Sequence, residues 1–159
     1  MSNSLRITAD IEHDNTVGLL AKVSSDGFAG YGEAWFNVSE VEDFIRQLRD
    51  FSETRNNPPH LVGGNWNKDG TIAEILLSMR FYAFSSFRSG VHIELAQRPS
   101  TDSRPEEVER VVVELKPNVH ELMDFCDGLE KLLANTLSEA LLTIDPSITS
   151  RDTEPLAVL

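Results

Sequence analysis

Apolar and polar residues alternate along the first part of the chain. Apolar side chains occupy every second position over residues 5–11, and the same alternation returns over 17–23. Because successive side chains of a strand point to opposite faces of a sheet, this period of two predicts half-buried strands. The turn-forming run Ser-Asp-Gly at 25–27 leads into a third alternating stretch, 28–38. The pattern therefore predicts a meander of three strands.

The hydrophobic period changes to that of a helix at Ser39. Four apolar residues between positions 41 and 48 fall on one stripe when the chain is wound at 3.6 residues per turn. Ser39 is a typical N-cap residue, and Glu42 lies three positions later, as in a capping box. The run Asn-Asn-Pro-Pro at 56–59 stops a helix. We therefore expect an amphipathic helix that begins at Ser39.

Strand patterns resume after a glycine-rich loop, and a second helix pattern follows them. Alternation predicts strands at 71–81, 91–95 and 108–115, with an exposed connection at 98–107. After Pro117, an apolar stripe predicts a long helix reaching position 137. The fold class predicted is α+β: a mostly antiparallel sheet of about six strands, with two amphipathic helices packed on one face.

Composition limits the class of protein. Hydrophobic residues make up 40% and charged residues 25% of the 159 positions, which are ordinary values for one globular domain. We expect that domain over residues 1–144. A tail with little core potential follows over 145–159, in which Leu156, Val158 and Leu159 are the residues able to dock.

Charge and targeting signals narrow the expected partners and location. The chain has 26 acidic and 14 basic residues, a net charge of −12, which repels nucleic acid and anionic lipid. Solubility explains such a charge, and so does a surface that binds a basic partner. The start lacks a secretory signal, no apolar run is long enough to cross a membrane, and the single Cys126 offers no disulfide. These features favour a cytoplasmic protein that binds neither nucleic acid nor membrane.

Motifs for catalysis, metals and cofactors are missing from the sequence. There is no nucleophile elbow, phosphate-binding loop or zinc-ligand spacing, and Cys126 falls on the apolar stripe of the last helix, as a buried hydrophobe would. His92 and Glu94 share one strand face, and His13 lies between two acids, but such pairs are usually surface polar residues. Paired carboxylates are a geometric arrangement that sequence does not test. We expect no cofactor, no metal and no enzyme activity.

The face of the predicted sheet opposite the helices is the candidate binding surface. Its aromatic residues bury a large area at low entropic cost, and its acids attract a basic partner. The alternative interpretation is an ordinary solvated sheet face with cross-strand pairs. The predicted partner-binding residues are Tyr31, Glu33, Trp35, Glu74, His92, Glu94 and Glu114, beside Asp10, Leu76 and Arg110.

Several runs of the chain resemble a known family. GYGEAWF at 30–36 passes into SEVEDF at 39–44, GVHIEL occupies 90–95, and VVVEL at 111–115 precedes the final helix. In order and pattern, these runs resemble the WapI-type family of bacterial immunity proteins over roughly residues 17–137. The resemblance implies a small acidic protein that binds and neutralises a cognate toxin. No functional residue is carried over from the family.

Three hypotheses for function follow from the sequence. The first is a macromolecule-binding protein of the immunity type, which blocks a basic toxin with its acidic face or loops. The second is a small-molecule-binding protein or enzyme with a pocket between the sheet and the helices. The third is a homodimer that uses the open sheet face as its interface.

Overall fold

The computed structural model describes residues 3–100 and 102–145, so the predicted tail lies outside the described residues apart from Asp145. The fold is α+β. Within the described residues, eight strands and two helices follow one another along the chain. The strands are β1 (Asn3–Ile11), β2 (Thr16–Ser25), β3 (Phe28–Asn37), β4 (His60–Trp66), β5 (Ile72–Ala83), β6 (Ser89–Gln97), β7 (Glu109–Leu115) and β8 (Ala140–Ile144), and the helices are α1 (Val38–Thr54) and α2 (Val119–Leu133).

The strands form two antiparallel sheets of four rather than one sheet of about six. The order is β3-β2-β1-β8 in the first sheet and β4-β5-β6-β7 in the second. Six of the strands lie where alternation predicts them, and β4 and β8 are additional. Alternation reports only which side of a strand is buried, whereas strand pairing joins distant parts of the chain. The assignment to one sheet was therefore wrong, although the antiparallel arrangement is confirmed.

Strand β3 joins the two sheets because it crosses the whole second sheet. At one end of β3, Gly30 lies against Val111 of β7, and at the other end Phe36 lies against Gly63 of β4. Since β7 and β4 are the two outer strands of the second sheet, β3 runs across all four strands, and it contacts each of them. The two sheets therefore pack nearly at right angles, with the core between their facing sides.

The crossing brings backbones so close that only glycine fits at its centre. A Cβ atom on Gly32 would lie 2.9 Å from the carbonyl oxygen of Leu76 and 3.0 Å from the Cβ of Leu95. Backbone atoms have no free space into which to move, so a side chain here would push β3 off the second sheet. The glycines around Tyr31 are thus packing residues of a sheet crossing.

The two helices lie side by side, as predicted, but their ends differ from the predictions. Helix α1 begins at Val38, and its N-cap is Asn37 rather than the predicted Ser39. The carboxylate of Glu40 accepts a hydrogen bond from the backbone N–H of Asn37 (3.1 Å). Asn37 is still paired with β2, so the helix starts where the strand ends. Helix α2 stops at Leu133, and Leu137 is exposed beyond it.

Most buried apolar side chains form one core between the sheets and helices. Phe44 of α1 meets Phe81 of β5 with ring centroids 5.7 Å apart, and Gly128 of α2 faces Ala140 of β8. Cys126 is buried in this core, which confirms the prediction made from its place on the apolar stripe.

A second, small apolar cluster lies on the opposite side of the second sheet. Its members lie beside the connection predicted to be exposed, where Arg98 Nε donates a hydrogen bond to Ser103 Oγ (2.9 Å) and Ser103 is buried. This burial corrects the prediction that residues 98–107 are simply exposed. The cluster contains Ile72, Leu76 and Ala96, with Val108 packed against them.

Two arginines tie the β5–β6 hairpin loop to the rest of the fold. Arg55, just after α1, donates 2.7 Å hydrogen bonds to Ser89 Oγ and to the carbonyl oxygens of Ser85 and Arg88. Arg88 is itself buried and donates to the carbonyl oxygen of Lys116 (2.7 Å). Buried charges need hydrogen-bond partners such as these, and nothing in the sequence pattern marked these arginines as structural.

Candidate protein-interaction surfaces

The outward side of the first sheet carries an exposed aromatic pair. Tyr31 and Trp35 of β3 are 50% and 48% exposed, with Glu33 between them on the same side. We call this side of the first sheet the aromatic face. Alternation along β3 predicts that these three residues point away from the core. The structure confirms this, since Gly32, between Tyr31 and Glu33, is buried.

Neighbouring strands hold both aromatic rings in place. Trp35 lies flat over Gly18, its cross-strand partner in β2, where an added Cβ would come within 2.9 Å of the ring. The hydroxyl of Tyr31 accepts a hydrogen bond from Gln97 Nε2 (2.9 Å). The rings are therefore pre-positioned, which lowers the entropy lost when a partner packs against them.

The aromatic face is close to balanced in charge, contrary to the acidic surface predicted. Its charged residues are Arg6 and Lys22 against Asp10 and Glu33, with Glu139 beside Arg6 at the margin. Three of the acids predicted to surround the aromatic pair, Glu74, Glu94 and Glu114, lie on the other sheet. The local electrostatic attraction of a basic partner at Tyr31 and Trp35 is therefore weaker than predicted.

The remaining predicted residues lie on the outward side of the second sheet, across the core from the aromatic face. Glu74 is exposed on β5, and Glu94 pairs with Arg110 (3.4 Å). Leu76, predicted on the same face, is buried in the small apolar cluster. The structure thus divides the predicted binding surface between two sheets that face in different directions.

His92 and Glu114 meet in a hydrogen-bonded cluster on the second sheet. Glu114 Oε1 lies 3.1 Å from His92 Nδ1, and Glu114 Oε2 accepts a 2.7 Å hydrogen bond from the Tyr82 hydroxyl. The bond from Tyr82 and the nearby His92 hold the pKa of Glu114 below its usual value. Burial, followed by the bond to Glu114, raises the pKa of Tyr82 to about 12. These contacts are typical of a cross-strand ladder, and no sequence pattern predicted that Tyr82 would join it.

The surplus of acid is concentrated on the two helices. Helix α1 has five acidic residues and two arginines, and α2 has four acidic residues and one lysine, so each helix has a net charge of −3. Together they account for half of the net charge of −12. We call the outward sides of α1 and α2 the acidic helical layer. This layer packs against the inward side of the first sheet, so it lies away from the aromatic face.

A groove of about 410 Å³ runs between the two helices. Ile45 and Leu133 line it, with Glu42 and Arg46 also at its sides. Arg49 bridges the helices through Asp127 (2.7 Å) and Glu130 (2.9 Å), and these carboxylates raise its pKa. The bridge links α1 to α2 beside the groove, so the acidic helical layer is continuous across both helices.

Chemistry-bearing residues are dispersed in the part of the chain that the structure describes. No three residues among its histidines, cysteine and acids come together as metal ligands. Burial raises the pKa of Cys126 to about 12, which keeps its thiol protonated. Phe44 and Phe81 occupy the space between α1 and β5, and a cleft of about 290 Å³ opens instead beside Tyr31 and Arg110.

Comparison of the chain with protein-family models, curated proteins and solved structures gave no match. The resemblance to the WapI-type immunity proteins therefore stays a prediction. Among residues 3–100 and 102–145, no helix has the length and apolar character needed to cross a membrane.

Proposed function

We propose that the chain is a protein-binding domain and that the aromatic face is its contact surface. The observation that carries the proposal is the half-exposed pair Tyr31 and Trp35 on a sheet face that no described element covers. Tyrosine and tryptophan are enriched among the residues that contribute most to the binding energy of protein interfaces. Binding rather than catalysis is the activity that such a surface supports.

The aromatic face favours a partner of mixed charge. Arg6 and Lys22 lie toward one end of the face and Asp10 toward the other. A partner with the opposite order of charges gains attraction at both ends, whereas a uniformly basic partner is repelled at the arginine and lysine.

Comparing two tryptophans tests the contact surface. Trp35 and Trp66 are 48% and 49% exposed, but Trp66 lies on β4 of the second sheet. After cross-linking in extracts of the native host, the wild type and Trp66→Ala should recover the same protein, and Trp35→Ala should lose it. Equal recovery by Trp35→Ala and the wild type would remove the aromatic face from the proposal.

A second candidate function is inhibition of a basic toxin by the acidic helical layer. The specific observation is the net charge of −3 on each of two neighbouring helices, which Arg49 links through Asp127 and Glu130. Such a layer attracts a basic protein and covers the surface with which a nuclease toxin holds its anionic substrate. This is the role that the WapI-type resemblance implies, and we propose it for a toxin partner.

Charge reversal on α1 tests the toxin role. Three reversals there should slow association with the captured partner by at least tenfold at low salt, and the difference should shrink as salt screens the charges. Three reversals elsewhere change the net charge equally and should have a much smaller effect. Equal slowing by both sets would leave net charge alone as the cause. The α1 variant carries Glu42→Lys, Asp50→Lys and Glu53→Lys, and the control carries Glu12→Lys, Glu74→Lys and Asp102→Lys.

A further inference from the structure

Three rows of residues cross the middle of the aromatic face at right angles to its strands. Residues in one row are direct cross-strand neighbours, and successive rows are two residues apart along each strand. The outer rows differ in charge: one has two cations, Arg6 and Lys22, and the other has a single acid, Asp10. The rows are Arg6–Lys22–Tyr31, then Thr8–Leu20–Glu33, then Asp10–Gly18–Trp35.

The charges on these rows are poorly matched within one copy of the chain. Arg6 lies directly opposite Lys22, and like charges in this arrangement repel. Among the described residues, only Arg6 of this set has an ion-pair partner, Glu139 at 3.3 Å. Lys22, Asp10 and Glu33 have none within that part of the chain. Opposite charges placed over the face would therefore stabilise it.

We propose that a second copy of this chain occupies the aromatic face, related to the first by a two-fold axis along the middle row. When two such faces meet, this axis places the row of Arg6 in each copy over the row of Asp10 in its partner. Arg6 of one copy then faces Asp10 of the other, and Tyr31 faces Trp35. Both contacts occur twice, as an isologous interface requires.

The middle row explains why the association is weak and reversible. Leu20 meets its own copy favourably near the axis, whereas Glu33 meets its own copy at the margin and repels it. Three strands about 30 Å long and the shorter β8, about 17 Å long, spaced about 4.8 Å apart, give roughly 510 Å² per copy. Stable dimers bury about 800 Å² per partner, so this face supports a dimer only at high protein concentration.

This inference rests on the proposed use of the aromatic face and names its occupant. The dimer hides Tyr31 and Trp35 from water and leaves the acidic helical layer of each copy outward. A different partner at the aromatic face must then displace the second copy. Only the monomer binds that partner, whereas a toxin at the helices binds both the monomer and the dimer.

Reciprocal charge reversal tests the proposed pairing of Arg6 with Asp10. All variants carry Glu139→Gln, so that no carboxylate of the same copy repels an acid at position 6. Arg6→Asp and Asp10→Arg each place like charges across the interface, and each should weaken dimerisation at least tenfold in sedimentation equilibrium. The double variant restores opposite charges and should return to within about threefold of the background protein. Glu33→Gln should strengthen the dimer.

Two results would overturn the dimer. One is a monomeric background protein at every concentration, and the other is a double variant no tighter than the single variants. Thermal unfolding of each variant guards against misfolding. Only small changes in unfolding temperature are expected, because the ion pair and the charges that the variants alter are exposed. Loss of the cross-linked partner in Trp35→Ala is a separate measurement, so the proposed function survives if only the dimer fails.

Discussion

Trp35 lies flat over Gly18, because a glycine on the neighbouring strand leaves room for the indole ring. Gly18→Ala should lift the ring, since the new methyl group would come within 2.9 Å of it. The measurement is tryptophan fluorescence in a Trp66→Phe background, where we expect a red shift. The free energy of unfolding should change by about 1 kcal/mol or less, because alanine suits a strand better than glycine. An unshifted spectrum would show that the ring does not depend on Gly18.

Loss of the Arg55 guanidinium should destabilise the fold strongly. Its three 2.7 Å hydrogen bonds hold the β5–β6 loop, and Arg55→Ala would remove all three, although the Arg88 carbonyl oxygen would still accept from the backbone N–H groups of Phe84 and Ser85. We expect a loss of about 3 kcal/mol in denaturant unfolding. Arg46→Ala is the matched control, because Arg46 forms one exposed ion pair with Asp43 and should cost less than about 0.5 kcal/mol. Similar losses in both variants would contradict an anchoring role for Arg55.

The Glu114 cluster should make stability depend on pH in the acid range. Because the folded-state pKa of Glu114 is lowered, its contribution is present above the unfolded pKa of about 4.3 and is lost as pH falls through the folded pKa. Glu114→Gln should therefore unfold at a lower temperature than the wild type at pH 7. The gap should close as the pH falls below 4.3. Glu74→Gln, on the same sheet, should show no such convergence, and a constant gap for Glu114→Gln would refute the assignment.

The thiol of Cys126 should be inert in the folded protein. It is buried, and its pKa is raised to about 12, so almost no thiolate is present at neutral pH. A thiol reagent should label it only through unfolding, at a rate that rises with denaturant. A Leu137→Cys variant in a Cys126→Ala background offers an exposed thiol, which should react at once. Equally fast labelling of Cys126 would place it at the surface instead.

Sequence periodicity predicted the local features of this fold well. The side of each residue in β3 follows from alternation, and the turn at Asp26 and Gly27 follows from its residue types. Strand β8 also alternates, with Leu142 buried and Leu141 exposed, but it is only five residues long and no element was predicted after the helix pattern ended at position 137. Strand β4 was missed because Gly63 is typical of a loop, whereas here glycine is required by the approach of β3.

The candidate site was less predictable because it depends on which strands pair. Tyr31 and Glu74 both point away from the core, as alternation indicates, yet they lie on different sheets. Periodicity is a local property, and sheet assignment is set by contacts between distant residues. For the same reason, the sequence pattern predicted the aromatic pair and the acidic residues Glu74, Glu94 and Glu114 on one face, whereas they lie on different sheets.

The pairing of β8 with β1 joins residues 140–144 to residues 3–7. During synthesis, β1 therefore has only one neighbour for the time needed to translate about 130 further residues, roughly ten seconds. Until then its second edge offers unpaired backbone groups to any strand nearby. Pairing with β8 therefore removes a strand edge that is open to aggregation for most of the time of synthesis.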